Sequence, residues 1–117
     1  MIIDIIGINI WTNNFNKMSE FYKCYLNLNV HSSKSNWISF EYFNFRLNIG
    51  THSKVNNKNN DSYRTMLNFS TNNIHDLYNS LSKNRVEFIR KPEKEEWGGW
   101  VATFYDPDKN ILQLLQK

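Results

Sequence analysis

This sequence is poor in the residues that mark several functional classes. One cysteine, two prolines and four glycines stand among its 117 residues. A lone cysteine, Cys24, excludes an intrachain disulfide and any zinc site built on a cysteine pair. Cys24 falls inside a helical pattern with no histidine at a catalytic spacing, so it is expected to be a half-buried packing residue and not a reactive thiol. No apolar run approaches the roughly 20 residues of a membrane span. The opening MIIDIIGINIW carries Asp4 and no basic leader. It reads as a strand and not as a signal peptide, and it predicts a soluble, cytoplasmic protein. Charge of one sign is also scarce. The net charge is +3, with six basic and three acidic side chains in residues 1–59 and eight of each in residues 60–117. No Lys/Arg stripe or basic helix face forms, so neither nucleic acid nor a membrane is an expected partner.

What the chain has is apolar and aromatic side chains, 40% and 15% of residues, enough for one real core. Ile2–Trp11 is expected as a first strand. Asn14 precedes Phe15, Met18, Phe21, Tyr22, Tyr25 and Leu26, a helical stripe with a natural cap, ending near Asn27–Asn29. Val30–Ser33, Trp37–Phe43 and Phe45–Ile49 follow as strands, the last two joined by a tight turn at Asn44. Lys54–Asp61 is polar and reads as a structureless loop. Tyr63–Ser70 is a strand again. Ile74, Leu77, Tyr78 and Leu81 make a second helical stripe, with Asn73 and Asp76 resembling a capping box. Arg85–Arg90 reads as a strand and Glu93–Glu96 as a solvated loop. A final hairpin runs from Trp97 to Leu115 through the Asp106-Pro107-Asp108 turn.

The two passes repeat. Ile8-Asn9-Ile10-Trp11-Thr12-Asn13-Asn14-Phe15 aligns with Leu67-Asn68-Phe69-Ser70-Thr71-Asn72-Asn73-Ile74. Leu47-Asn48-Ile49 aligns with Leu112-Gln113-Leu114 after a slip that a longer loop at Lys91–Glu96 would absorb. A duplication of strand, helix and three strands therefore fills the chain.

The paired βαβββ unit, the Phe21-Tyr22 pair and the closing WGGWVATFYDPDKNILQLLQ resemble the vicinal oxygen chelate superfamily of glyoxalase I, fosfomycin-resistance proteins, extradiol dioxygenases and bleomycin-resistance proteins. The resemblance covers essentially the whole chain. It implies an α+β fold and a single domain over residues 1–117, with repeats at about 1–53 and 63–117 around a loop at 54–62. It also implies a curved mixed sheet around a cleft, with helices on the convex face, and subunits paired as a homodimer. Family members carry Gly where this chain has Lys109. Asn110 tolerates left-handed backbone better, so the turn is expected to shift by one residue.

In metal-dependent members four strands each present a ligand, mostly His or Glu. The corresponding positions here are Gly7, Asn48, Met66 and Gln113, none a strong ligand for a divalent ion. His31, His52 and His75 lie elsewhere and read as surface residues. The resemblance supplies the fold, while the residues at these positions predict a member with no metal and no other cofactor. Strand parity puts Ile8, Ile10, Leu67, Phe69, Leu112 and Leu114 toward the core. It puts Gly7, Asn9, Trp11, Arg46, Asn48, Met66, Asn68, Ile111 and Gln113 on the other face. That polar face needs water or a ligand. Asn9, Trp11, Arg46, Asn48, Met66, Asn68 and Gln113, with Trp97 and Trp100 as a planar-ligand clamp around Gly98-Gly99, are the candidate binding residues. Trp37 reads as core, and Arg46 is either paired with Glu41 or free for an anionic ligand. The function expected is sequestration of an aromatic or hydrophobic small molecule. The alternatives are a metal-free isomerase or lyase acting next to a carbonyl, with Glu41, Tyr42, Tyr105 or Asp106 as the proton-transferring group, and a homodimer without a small ligand.

Overall fold

The computed structural model describes all 117 residues. They form two units, Met1–Asn57 and Lys58–Lys117. The first holds β1 (Gly7–Thr12), α1 (Phe15–Glu20) running on into a π-helical turn (Phe21–Tyr25), β2 (Val30–Lys34), β3 (Trp37–Tyr42) and β4 (Phe45–Thr51). The second holds a single 3-10 turn (Ser62–Arg64), β5 (Met66–Ser70), α2 (Ile74–Lys83), β6 (Phe88–Lys94), β7 (Trp100–Tyr105) and β8 (Ile111–Gln116). The strand orders are the same, β1-β4-β3-β2 and β5-β8-β7-β6. In each sheet the first strand lies parallel to the last, and the other pairs are antiparallel. The expected α+β architecture of two βαβββ repeats is present.

Each unit builds its core between one helix and one face of its sheet. In the first, Met18, Phe21 and Tyr22 from the helical stripe are buried against Ile38, Phe40, Leu47 and Ile49, with the Tyr22 and Phe40 rings 6.4 Å apart. In the second, Ile74 and Leu81 of α2 are buried together with Ala102, Phe104, Leu112 and Leu114. The shared Thr-Asn-Asn does the same work twice. The Thr12 hydroxyl accepts the Asn14 N–H at 2.8 Å, and the Thr71 hydroxyl accepts the Asn73 N–H at 3.1 Å. This turn bends the chain from strand to helix.

Several boundaries differ from the sequence reading. β1 begins at Gly7 and not Ile2, because its partner β4 begins at Phe45 and the ladder starts at Gly7 opposite Arg46. Only one further bond, from the Arg46 N–H to the Ile6 carbonyl at 2.9 Å, extends it. Residues 1–6 thus run past the end of the strand they would pair with. Neither Asn14 nor Asn73 caps its helix with its side chain. The Asn73 amide donates to Asp76 Oδ2 at 2.8 Å, while the Ile74 N–H is taken by Gln116 Oε1 of β8 at 2.7 Å. Cys24 is exposed and not half-buried, since the π-helical turn brings Phe21, Tyr22 and Tyr25 inward instead.

In the second unit Arg85 does not start a strand. It takes left-handed backbone, φ 62°, just past α2. The expected loop at Lys91–Glu96 is mostly strand. β6 runs to Lys94 with two register shifts that absorb the extra residues. Pro92 is tolerated there because β6 is an edge strand. Glu93 and Glu95 are not merely solvated: both bridge Arg90, at 3.3 and 2.9 Å. The Asp106 turn does not shift. Asp106 Oδ1 accepts the N–H groups of Asp108 and Asn110, at 2.8 and 3.0 Å, and Lys109 itself takes the left-handed conformation at φ 67°. The Asn-rich segment is partly fastened. The Asn59 N–H donates to the Asp108 carbonyl at 2.7 Å and its side chain to Asn110 Oδ1 at 2.9 Å.

The duplicated threonine turn predicts unequal costs. Thr12 is fully buried and Thr71 only half so. Thr12→Val is expected to lower unfolding free energy by about 1–2 kcal/mol and Thr71→Val by less than about 1 kcal/mol, as read from urea denaturation.

Candidate functional site

The faces of the two sheets turned away from the core carry the polar residues. Alternation along β3 and β4 sets Trp37, Ser39 and Glu41, and Arg46, Asn48 and Gly50, opposite the buried Ile38, Phe40, Leu47 and Ile49. With β1 they make three rungs across the first sheet: Gly7–Arg46–Glu41, Asn9–Asn48–Ser39 and Trp11–Gly50–Trp37.

Each rung has its own chemistry. In the first, Arg46 Nε bonds Glu41 Oε2 at 2.9 Å and Arg46 Nη2 lies 2.9 Å from His31 Nε2. The guanidinium is therefore engaged on both sides. Its hydrogen bond holds the Glu41 carboxyl below the usual carboxylate range. In the second, the Asn48 amide donates to Asn9 Oδ1 at 2.9 Å. Ser39 completes that rung at 3% exposure, and its hydroxyl is the one buried side-chain polar atom with no partner. In the third, the Trp11 and Trp37 rings meet at 5.9 Å and close over Gly50. A Cβ there would come within 2.7 Å of Trp37 and 3.1 Å of Trp11. His52 stands edge-on to Trp11 at 5.3 Å.

The second unit repeats the middle rung as Asn68–Gln113–Thr103. Here the central amide points the other way: Gln113 Nε2 donates to Thr103 Oγ1 at 3.1 Å. Asn48 serves the first strand of its sheet, and Gln113, one methylene longer, serves the antiparallel neighbour. The hydroxyl is satisfied in the second unit and left over in the first.

The residues expected to bind a ligand are divided accordingly. Asn9, Trp11, Arg46 and Asn48 share the outward face of the first sheet. Asn68 and Gln113 share that of the second, with Met66 39% exposed beside them and Ile111 buried to 1%. Trp97 and Trp100 do not form a clamp. Trp100 pairs with Gln116 on the parity of the buried Ala102 and Phe104, and its ring meets His75 of α2 at 4.7 Å. Trp97 folds over the backbone of Gly99, where any side chain would strike its ring, and is 56% exposed. Sequence reading also missed Ser39 and Trp37. The period-two pattern of Trp37, Ser39 and Glu41 carries that signal, once β3 is known to be buried on its other face.

A profile of the glyoxalase-like domain family matches residues 5–116. The chain belongs to that family. Solved structures of the glyoxalase/bleomycin resistance/dioxygenase superfamily share its fold. One is a family enzyme from Burkholderia phytofirmans, with a TM-score of 0.78 at 15% identity over 97% of this chain and 98% of that one. Another is described as lactoylglutathione lyase from Agrobacterium tumefaciens, with a TM-score of 0.75 at 10% identity over 97% and 92%. A superfamily member from Sphaerobacter thermophilus gives 0.75 at 18% identity over 99% and 98%. No protein of curated function matches the sequence.

The metal that many superfamily members carry does not fit this glyoxalase-like domain at the inherited positions. Gly7 offers no donor, and a side chain is excluded there because a Cβ would lie 2.5 Å from the Arg46 carbonyl. Met66 offers a thioether, which suits a soft ion and not a hard divalent one. The amides of Asn48 and Gln113 are bonded to Asn9 and Thr103.

The Arg46–Glu41 pair has a pH signature. A carboxyl held low by its partner adds stability above its unfolded pKa, near 4.5, and loses it as pH falls through the folded value. The stability gap between the wild type and Glu41→Gln is expected to narrow steadily below about pH 4.5. Thermal melts of both proteins between pH 3 and 7 would show it.

Proposed function

We propose that this glyoxalase-like domain binds and sequesters an uncharged, planar aromatic small molecule on the helix-free face of its first unit, without a metal. The unpartnered Ser39 hydroxyl carries the reading. A buried hydroxyl left without a bond costs free energy unless something meets it. Around it stand the amides of Asn9 and Asn48 on one side and the indole pair of Trp11 and Trp37 on the other, the usual pairing of aromatic surface with a few polar groups. Arg46 supports a neutral ligand and not an anion, since Glu41 already compensates its charge.

Binding is favoured over catalysis because the carboxylate candidates are engaged and neither Tyr42 nor Tyr105 has a base among its hydrogen-bond partners. Glu41 is ion-paired. Asp106 holds its own turn. The Tyr42 hydroxyl accepts the Asn29 N–H, and the Tyr105 ring lies beneath Lys109 Nζ.

Ser39→Ala separates a ligand contact from a packing role. Removing an unsatisfied hydroxyl is expected to leave stability unchanged or slightly raised. Affinity for any ligand that quenches Trp11/Trp37 fluorescence is expected to fall about tenfold, the effect of one lost hydrogen bond. A variant that loses stability but keeps its affinity would refute this placement. Metal analysis of the purified protein should find no stoichiometric Ni, Zn, Mn or Fe, and one such ion per chain would overturn the metal-free assignment.

A further inference from the structure

The middle rung of the first sheet narrows the chemistry of a ligand beyond its being flat. Asn9 of β1, Asn48 of β4 and Ser39 of β3 stand in register on neighbouring strands. The Asn48 amide donates to Asn9 Oδ1 at 2.9 Å, and neither amide makes another side-chain bond. A primary amide carries two N–H groups and one carbonyl. The joined pair therefore keeps a free N–H on Asn9 and a free carbonyl on Asn48. Turning both amides over exchanges the residues and leaves the same two groups on offer. On the other side of Asn48 is the Ser39 hydroxyl, buried without a partner and able to donate or accept.

We infer that the ligand is a planar heterocycle with a cyclic-amide edge, a ring N–H beside a ring C=O, set against this row, an assignment that rests on the binding proposed above and narrows its ligand. The two edges are complementary. The ring N–H donates to the Asn48 carbonyl, and the ring C=O accepts from the Asn9 N–H. This is the two-point pairing by which an amide side chain reads the edge of a base. The Ser39 hydroxyl, one strand further, is left for a substituent beyond the ring N–H. The indoles of Trp11 and Trp37 close over Gly50 on the next rung. That rung lies roughly 7 Å along the strands, a length that a two-ring heterocycle spans. A hydrocarbon ring suits the row less, because it would cover the N–H and the carbonyl without pairing them. The second unit lacks both halves of the arrangement. Its Gln113 amide is bonded to Thr103, and its next rung is Ser70–Leu115–Val101, with no aromatic ring.

The test is an NMR titration of the ¹⁵N-labelled full chain with three probes of similar shape: quinolin-2(1H)-one, its N-methyl derivative and quinoline. Quinolinone is expected to shift the Asn9 and Asn48 side-chain amide signals together with the Trp11 and Trp37 indole N–H signals. The N-methyl compound loses the donor and quinoline loses the paired edge, and each is expected to bind about tenfold more weakly. Asn9→Asp keeps the bond from Asn48 but replaces the free N–H with a carboxylate oxygen. It is expected to lose about tenfold toward quinolinone and to gain about tenfold toward protonated 2-aminoquinoline, whose edge presents N–H groups only. A merely structural role for Asn9 would not reverse the preference. Equal affinity for the three probes, or an Asn9→Asp variant that keeps the wild-type order, would overturn the cyclic-amide assignment and leave aromatic binding intact. A titration in which no probe moves the Trp11 or Trp37 signals would overturn the binding proposal itself, and the assignment with it.

Discussion

Each unit depends on one long-range pairing, the parallel ladder between its first and last strands. Parallel neighbours cannot be joined by a hairpin, so the chain must leave β1, cross through α1 and return by way of β2 and β3. The crossing puts the helix on one face of the sheet only. In the first unit the other face carries Asn9, Asn48, Ser39, Arg46 and Glu41 beside the Trp11–Trp37 pair, while in the second it mixes Asn68, Gln113 and Thr103 with apolar Met66, Val101 and Ile111. The Thr-Asn-Asn turn matters in this setting. It converts strand into helix at the point where the crossing begins, and the second unit uses the same turn.

The outward faces then follow from small differences between two copies of one plan. Asn9–Asn48–Ser39 and Asn68–Gln113–Thr103 occupy the same rung, yet their central amides bond in opposite directions. Asn48 with Ser39 leaves a buried hydroxyl unpaired, whereas Gln113 with Thr103 pairs it. Duplication supplied matching positions, and divergence left one unsatisfied group in one unit. The four positions where the resemblance looked for metal ligands, Gly7, Asn48, Met66 and Gln113, present none of the usual ones for a hard divalent ion. Gly7 shows it best, since the close approach of the Arg46 carbonyl forbids any side chain there.

Most of the architecture was legible because it is periodic. The helical stripes located α1 and α2, the strand-forming composition of Phe45–Ile49 and of the hairpin closed by the Asp106-Pro107-Asp108 turn located β4 and β7, and the repeated Thr-Asn-Asn revealed the duplication. Failures arose where a residue's role depends on a partner distant in sequence. The segment Ile2–Ile6 has perfect strand composition but no strand beside it. Trp100 shares a motif with Trp97 but not a face, since the parity of β7 is set by its pairing with β8. The slip in the repeat and the charges of Glu93–Glu96 argued for a loop at Lys91–Glu96, whereas this edge strand accepts the extra residues and Pro92. Lys109 holds left-handed backbone against its own preference because Asp106 fixes the N–H groups of Asp108 and Asn110 on either side of it. Ser39 was invisible because a missing hydrogen bond has no sequence signature.

The same ladder also governs how the chain becomes ordered. The β3–β4 and β7–β8 turns close over a few residues, so those hairpins form early and locally. Pairing Ile8 with Leu47, or Leu67 with Leu112, closes a loop spanning most of a unit, at a correspondingly larger entropic cost. Those pairings are therefore expected to come late on the route to the native state. Their loosening is then an early event on the way out, so substitutions along β1 and β5 set the lifetime of the native state more than the speed at which it is reached.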